Sequence, residues 1–162
     1  MAKEKLGTGE ILSTFFDDGV YTPLLASGAV EAAHGCAGGQ PVYAVCQNGG
    51  ALTVKDVEKQ IKVLEMAALT GNPVVTFYDS VGAKLEEGLD VLTAASRLNA
   101  AIAKVSGVVP QVAVVVGVCG ASAALAAASA DVCIMAEGAE LFFTAPFTSV
   151  AHGDKLAGAG SA

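Results

Sequence analysis

Two short stretches hold the residue types that could stabilise charge without any side-chain nucleophile. Gly117-Val118-Cys119-Gly120-Ala121-Ser122 follows the β-branched run of Val112, Val114, Val115 and Val116, and it leads into an alanine-rich segment, Ala123 to Ala130. Asp79-Ser80-Val81-Gly82-Ala83 follows Val74-Val75-Thr76-Phe77-Tyr78 and precedes a predicted helix from Glu86 to Val105. A strand, a turn of small residues and then a helix leave backbone N–H groups without partners at the helix N-terminus. Small side chains let a ligand approach that backbone closely. Two such turns on neighbouring strands could aim two N–H donors at one carbonyl oxygen, forming an oxyanion hole. Gly82, Ala83, Gly120, Ala121 and Ser122 are therefore the candidates. The competing reading is close strand–helix packing, which also selects small residues.

Other chemistry is less well supplied. Ser122 as a nucleophile needs a base and an orienting acid, and the two histidines, His34 and His152, are not placed near it by sequence. Cys119 reads as a core thiol, and Cys46 and Cys133 lie in apolar strand patterns, so the four cysteines read as buried cytosolic thiols. No cysteine pair or histidine spacing suits a metal ion. Asp79 reads as a cap on the turn that follows it. Glu86 and Glu87 fall in a predicted first helical turn, where the dipole favours carboxylates. Lys55, Lys59 and Lys62 read as a solvated helix face, with contact to a ligand's phosphates as the alternative. Phe142, Phe143 and Phe147 read as core or interface.

The elements that must position the two turns follow from the pattern. Thr53 and Asp56 have capping-box spacing, and Val57, Ile61, Leu64 and Ala68 form one helical face until Gly71-Asn72-Pro73. Residues 10–16 are helical or extended, Asp18-Gly19 marks a turn, and 27–33 stay undecided. His34 to Gln40 and Gln47 to Ala51 read as loops around a strand, Val42 to Cys46. A further strand is Val132 to Met135. Alternating strands and helices favour an α/β fold with parallel pairing in a single domain spanning 1–162. After Glu140-Leu-Phe-Phe the chain turns Gly- and Ala-rich without a clear closing helix, as expected of part of a longer assembly or a shortened chain.

Composition narrows the function classes. Hydrophobic residues make up 53% and charged residues 15%, which implies a large subunit interface. A net charge of −7 with no basic run excludes nucleic acid as a partner. The uncharged run from Lys104 to Asp131 has the length of a membrane span. Pro110, Gln111, Gly117 and Gly120 break it where a strand, a turn and a helix require breaks. Met1-Ala-Lys-Glu-Lys is not followed by the apolar region of a signal peptide. The expected location is the cytoplasm.

Several stretches, in order, resemble one family. These are Phe15-Phe-Asp-Asp-Gly-Val-Tyr, Gly38-Gly-Gln-Pro-Val-Tyr-Ala-Val, Asn72 to Gly88 against a pattern D-S-G-G-A-R-x-x-E-G, and Val109 to Ala123 against V-P-Q-(apolar)-G-x-C-A-G-G-A. Ala130-Asp131 and Leu141-Phe-Phe-Thr-Ala-Pro continue the match. The chain thus resembles the N-terminal domain of the carboxyltransferase subunits of biotin-dependent acyl-CoA carboxylases and decarboxylases, in the crotonase superfamily.

The resemblance implies a crotonase-like ββα superhelix. It also implies an acyl-CoA carboxyltransferase or decarboxylase subunit that binds a CoA thioester and stabilises its enolate. Gly82, Ala83, Ala121 and Ser122 fall where the family places N–H donors, flanked by Ser80, Lys84, Gly117 and Gly120 as thioester-binding positions. Biotin would arrive on a separate carrier, and a second carboxyltransferase half on another chain would complete the site in a homo- or hetero-oligomer. Lys84 replaces an Arg, keeping the charge but losing the planar fork. Val81 replaces one glycine and Ala121-Ser122 replace a Gly-Gly pair, so side chains occupy normally bare positions. The alternative function is a structural subunit with a degenerate pocket.

Overall fold

The computed structural model describes residues 6–144 together with 148 and 151. Helix α1 (Thr8–Phe15) and a 3-10 turn (Asp17–Gly19) lead into β1 (Tyr21–Ser27), β2 (Val30–Ala37) and β3 (Gln40–Gln47). From β3 onward the chain repeats one unit, a long strand, a short strand and a helix. The first unit is β3, β4 (Gly49–Leu52) and α2 (Val54–Thr70). The second is β5 (Val74–Tyr78), β6 (Ser80–Ala83) and α3 (Leu89–Val105). The third is β7 (Gln111–Val115), β8 (Val118–Gly120) and α4 (Ser122–Ala128). A fourth strand pair, β9 (Val132–Met135) and β10 (Glu140–Phe142), follows.

The long strands build one six-stranded sheet in the order β1-β2-β3-β5-β7-β9, parallel from β3 onward. The short strands form a second layer of two parallel pairs, β4 with β6 and β8 with β10. This is the strand–strand–helix superhelix expected from the resemblance. Two apolar cores flank the main sheet. Val45, Val74, Tyr78, Ala113 and Val115 face α2 and α3, while Ala44, Cys46, Val75 and Phe77 face Leu12 and Phe16 of α1. Alternate residues of β5 thus serve opposite cores, so the strand is apolar on both faces apart from Thr76.

Four stretches expected as loops or turns lie in strands. His34 to Ala37 continue β2, and the hairpin turn is confined to Gly38 and Gly39, at φ 60° and 76°. Asp17 closes this turn, its carboxylate accepting both glycine N–H groups at 2.8 Å. Gly49 to Leu52 and Ser80 to Ala83, read as loop and turn, pair with each other, and Val118 to Gly120 pair with β10. Strands of three or four residues are too short to show a two-residue alternation.

The helix expected from Glu86 begins three residues later. Leu85–Glu87 is a 3-10 turn, and Gly88, at φ 58° and ψ −133°, starts α3 afresh. Glu87 turns away to accept the Val54 N–H at 2.6 Å. Its charge therefore serves the N-terminus of α2 and not its own helix. Thr53 and Asp56 form the expected capping box on the same helix. Among the described residues, no helix is long and apolar enough to cross a membrane.

Candidate functional site

The site is built where the short strands of the second and third units meet. β6 and β8 run side by side, with Cα atoms within 8 Å. In β6, Ala83 lies opposite Leu52, and the Lys84 N–H donates to the Leu52 carbonyl at 2.9 Å. In a parallel ladder this register turns Ala83's own N–H away from β4. Gly82 has φ +107°, and a Cβ built there meets nothing within 4 Å. The backbone is therefore bare on that side.

At the second turn, Ala121 has φ 55° and ψ −125°. That conformation belongs to the first central position of a type II′ turn, which glycine normally fills. Gly88 holds nearly the same angles at the start of α3. Helices α3 and α4 thus start from the same backbone shape, but only α4 carries a side chain there. The first helical bond of α4 runs from the Leu125 N–H to the Ala121 carbonyl at 3.3 Å. The N–H groups of Ser122, Ala123 and Ala124 therefore have no acceptor within the helix. No side chain caps this helix, and Ser122 is exposed.

The structure divides the four expected donors. The Gly82 N–H donates to Ser80 Oγ at 3.0 Å, and the Ala121 N–H donates to the Phe142 carbonyl at 3.0 Å. Ala83 and Ser122 are left with N–H groups directed away from these internal bonds. The flanking positions divide in the same way. Ser80 is buried, its hydroxyl donating to the Gly50 carbonyl at 2.9 Å. A Cβ at Gly117 would overlap the Asp79 carboxylate, and one at Gly120 would lie 2.6 Å from the Phe142 ring. These two glycines are fixed by packing. Lys84 is exposed.

Asp79 reaches beyond its own turn. It is 4% exposed, and its Oδ1 accepts the Val118 N–H at 3.3 Å, across in β8. A small cavity of about 30 Å³ lies beside the first turn of α4, lined among others by Leu52, Tyr78, Leu98, Asn99, Ser122 and Ala123. Asn99 Oδ1 is buried without a hydrogen-bond partner.

The nucleophile readings lose support. Burial, then the neighbouring Cys133, pushes the Cys119 thiol up to about 12, so it stays protonated and unreactive at neutral pH. His34 sits against the Tyr43 ring, 4.6 Å between centroids, and 3.5 Å from Asn72, and not beside Ser122. His152 and Phe147 lie outside the described residues. Cys133 is exposed on β9, as is Cys36, correcting the expectation of buried thiols there, whereas Cys46 and Cys119 are buried. No group of three or more metal-ligating side chains occurs among the described residues.

Comparison with known proteins gives a consistent answer. Residues 12–152 match the model of the carboxyl transferase domain. The methylmalonyl-CoA carboxyltransferase 12S subunit of Propionibacterium freudenreichii subsp. shermanii is 39% identical over 112 residues, 67% of this chain and 21% of that one. A crystal structure of transcarboxylase 12S, a hexamer assembly with methylmalonyl-coenzyme A and methylmalonic acid bound, superposes with a TM-score of 0.87 at 30% identity. The match covers 94% of this chain and 34% of that one. The MdcD–MdcE hetero-dimer of Pseudomonas malonate decarboxylase superposes with a TM-score of 0.85 at 25% identity, covering 93% of this chain and 71% of that one. These neighbours have crotonase-like carboxyltransferase folds. The chain spans about a fifth to a third of the length of the transferase subunits it matches.

Proposed function

Because this chain belongs to the carboxyl transferase domain family, we propose that it is the thioester-binding part of an acyl-CoA carboxyltransferase or decarboxylase. The observation that supports the reading is the adjacency of β6, which ends in Ala83, to β8, which leads into Ser122, beside an open face at Gly82. When a carboxyl group leaves the α-carbon of an acyl thioester, the electron pair of the broken bond moves toward the thioester oxygen as an enolate. Fixed N–H dipoles aimed at that oxygen stabilise the developing charge without reorganising. They favour the transition state over the ground state, so no triad or metal is required of this chain.

Biotin supplies carboxyl-group exchange when bound. In this reading it arrives on a separate carrier and faces a second carboxyltransferase half on another chain. Lys84, exposed beside Ala83, supplies positive charge near the thioester. Residues 1–162 act as one domain of N-terminal carboxyltransferase type, in the cytoplasm, where four free cysteines are at home. The strained backbone of Ala121 argues against a purely structural subunit. Such a conformation costs about 1–3 kcal/mol and a degenerate pocket has no reason to keep it.

The test is calorimetric titration of malonyl-CoA and methylmalonyl-CoA into the full chain, with free CoA as the control. Binding that favours the acylated forms is the expected result. Equal affinity for all three would sink the thioester-oxygen reading, since the free thiol has no carbonyl to receive the donors.

A further inference from the structure

Ala83 ends β6 and Ser122 opens α4 just past β8, so something must set the distance between β6 and β8. Asp79 stands at that junction, with each of its polar groups tied to a different element. Its N–H donates to Gln47 Oε1 of β3 at 3.2 Å. Its backbone carbonyl accepts the Gly49 N–H of β4 at 2.8 Å. Its carboxylate accepts the Val118 N–H of β8. Gln47 is in turn held through Nε2 by Gln60 Oε1 of α2 at 3.2 Å, and Gln60 Nε2 donates to the Asp56 carbonyl. Gln47, Gln60 and Asp79 are all nearly fully buried. A buried, satisfied polar chain of this kind fixes geometry, because any displacement leaves a desolvated group unpaired.

The reach of the carboxylate also explains Gly117. The side chain of Asp79 occupies the space that a Cβ at 117 would fill. Only a bare backbone there lets Asp79 reach Val118. The Asp79–Gly117 pair is thus one device, split across two repeats.

We propose that Asp79, seated against Gly117, is a positioning residue that sets the separation of β6 and β8 and hence aims the Ala83 and Ser122 N–H groups at one oxygen. Asp79 precedes β6 directly and binds β8 directly, so its carboxylate is a strut between the strand that ends in Ala83 and the strand that leads into Ser122. Nothing in this role requires Asp79 to touch the substrate. The proposal rests on the thioester reading above. A displacement on the order of 1 Å at such a site costs up to about a hundredfold in function.

The experiment is a double-mutant cycle on the full chain with Asp79→Ala, Gly117→Ala and the pair together, read in two ways. The first readout is the amide NMR positions of Ala83 and Ser122. The second is the ratio of methylmalonyl-CoA affinity to free CoA affinity. Each single variant should shift both amides and lower the ratio about tenfold, with free CoA binding nearly unchanged. The double variant should be no worse than Asp79→Ala, because the added methyl at 117 then meets no carboxylate. Amides that stay in place in the folded Asp79→Ala chain overturn the proposal. So do losses that simply multiply in the double variant. A wild-type chain without acyl preference sinks the thioester reading alone, and the amide positions still decide the strut.

Discussion

At the residue scale, the chemistry assigned to this chain belongs to the backbone. Ser122 matters for its N–H, at the first position of α4, and its hydroxyl is dispensable in this reading. Ser122→Ala should therefore leave methylmalonyl-CoA affinity within about twofold by calorimetry, since a peptide N–H survives the change. A large loss would revive a role for the hydroxyl. Ala121 offers the reverse test. Its φ of 55° and ψ of −125° suit glycine, and Gly88 shows what the same turn looks like unstrained. Ala121→Gly should raise stability by about 1 kcal/mol in urea unfolding, the strain relieved less the extra unfolded-chain entropy of glycine. Gly120 is a poor probe of donor geometry, because the Phe142 ring lies over it. Valine there would disturb β8 and β10 before it reached the site.

At the element scale, α2 anchors the polar chain that leads to the site, and its N-terminus is held from three sides. Thr53 and Asp56 cap it, Glu87 accepts from Val54, and Lys59 pairs with Asp56 at 3.3 Å. Burial alone would raise the Asp56 carboxyl, but the Thr53 hydroxyl and N–H together with Lys59 overcome it and hold the group below its ordinary value. A carboxyl depressed in the folded state stabilises above its unfolded pKa of about 3.9, and the contribution is lost as pH falls through the folded value. Asp56→Ala should cost about 2 kcal/mol at neutral pH by urea unfolding. The gap from wild type should narrow on acidification and stay constant above pH about 5. A gap that persisted unchanged into strong acid would show that packing, and not charge, is lost.

This cap was legible in the sequence because Thr53 and Asp56 lie within one helical turn, and β5 and β9 were legible because they are short runs of apolar, aromatic and β-branched residues. The second layer was not. β4, β6 and β8 are three or four residues long and rich in small side chains, and their strand state comes from partners distant in sequence, Ser80 opposite Gly49 and Glu140 opposite Val118. For the same reason sequence reading located the two turns but could not show that Gly82 and Ala121 spend their N–H groups internally. The role of Asp79 was hidden too, because its acceptor duty lies on another repeat. Only the resemblance supplied the ββα winding in advance.

At the scale of the whole molecule, the high apolar content is only partly spent on the two cores. β9 closes one edge of the six-stranded sheet with Val132 50% and Ile134 51% exposed. Leu69 is 88% exposed beside a groove lined by Leu24, Leu25 and Met66. Val81, Leu85, Leu89 and Leu92 are exposed around the start of α3, close to the open face at Gly82. An uncharged edge strand with apolar residues on both faces is a template for further pairing, and patches of this kind mark interfaces. The chain also spans only 34% of the transcarboxylase subunit it superposes on, so surface covered by other parts of such an assembly would be bare here. The isolated chain should therefore associate in a concentration-dependent way in sedimentation velocity. Val132→Lys with Ile134→Lys should shift the distribution toward the monomer, because lysine on an edge strand opposes edge-to-edge pairing. Since β9 lies outside the donor pair, the same double variant should keep the acyl-CoA preference of wild type. Loss of that preference together with association would instead place the working thioester pocket at a contact between chains.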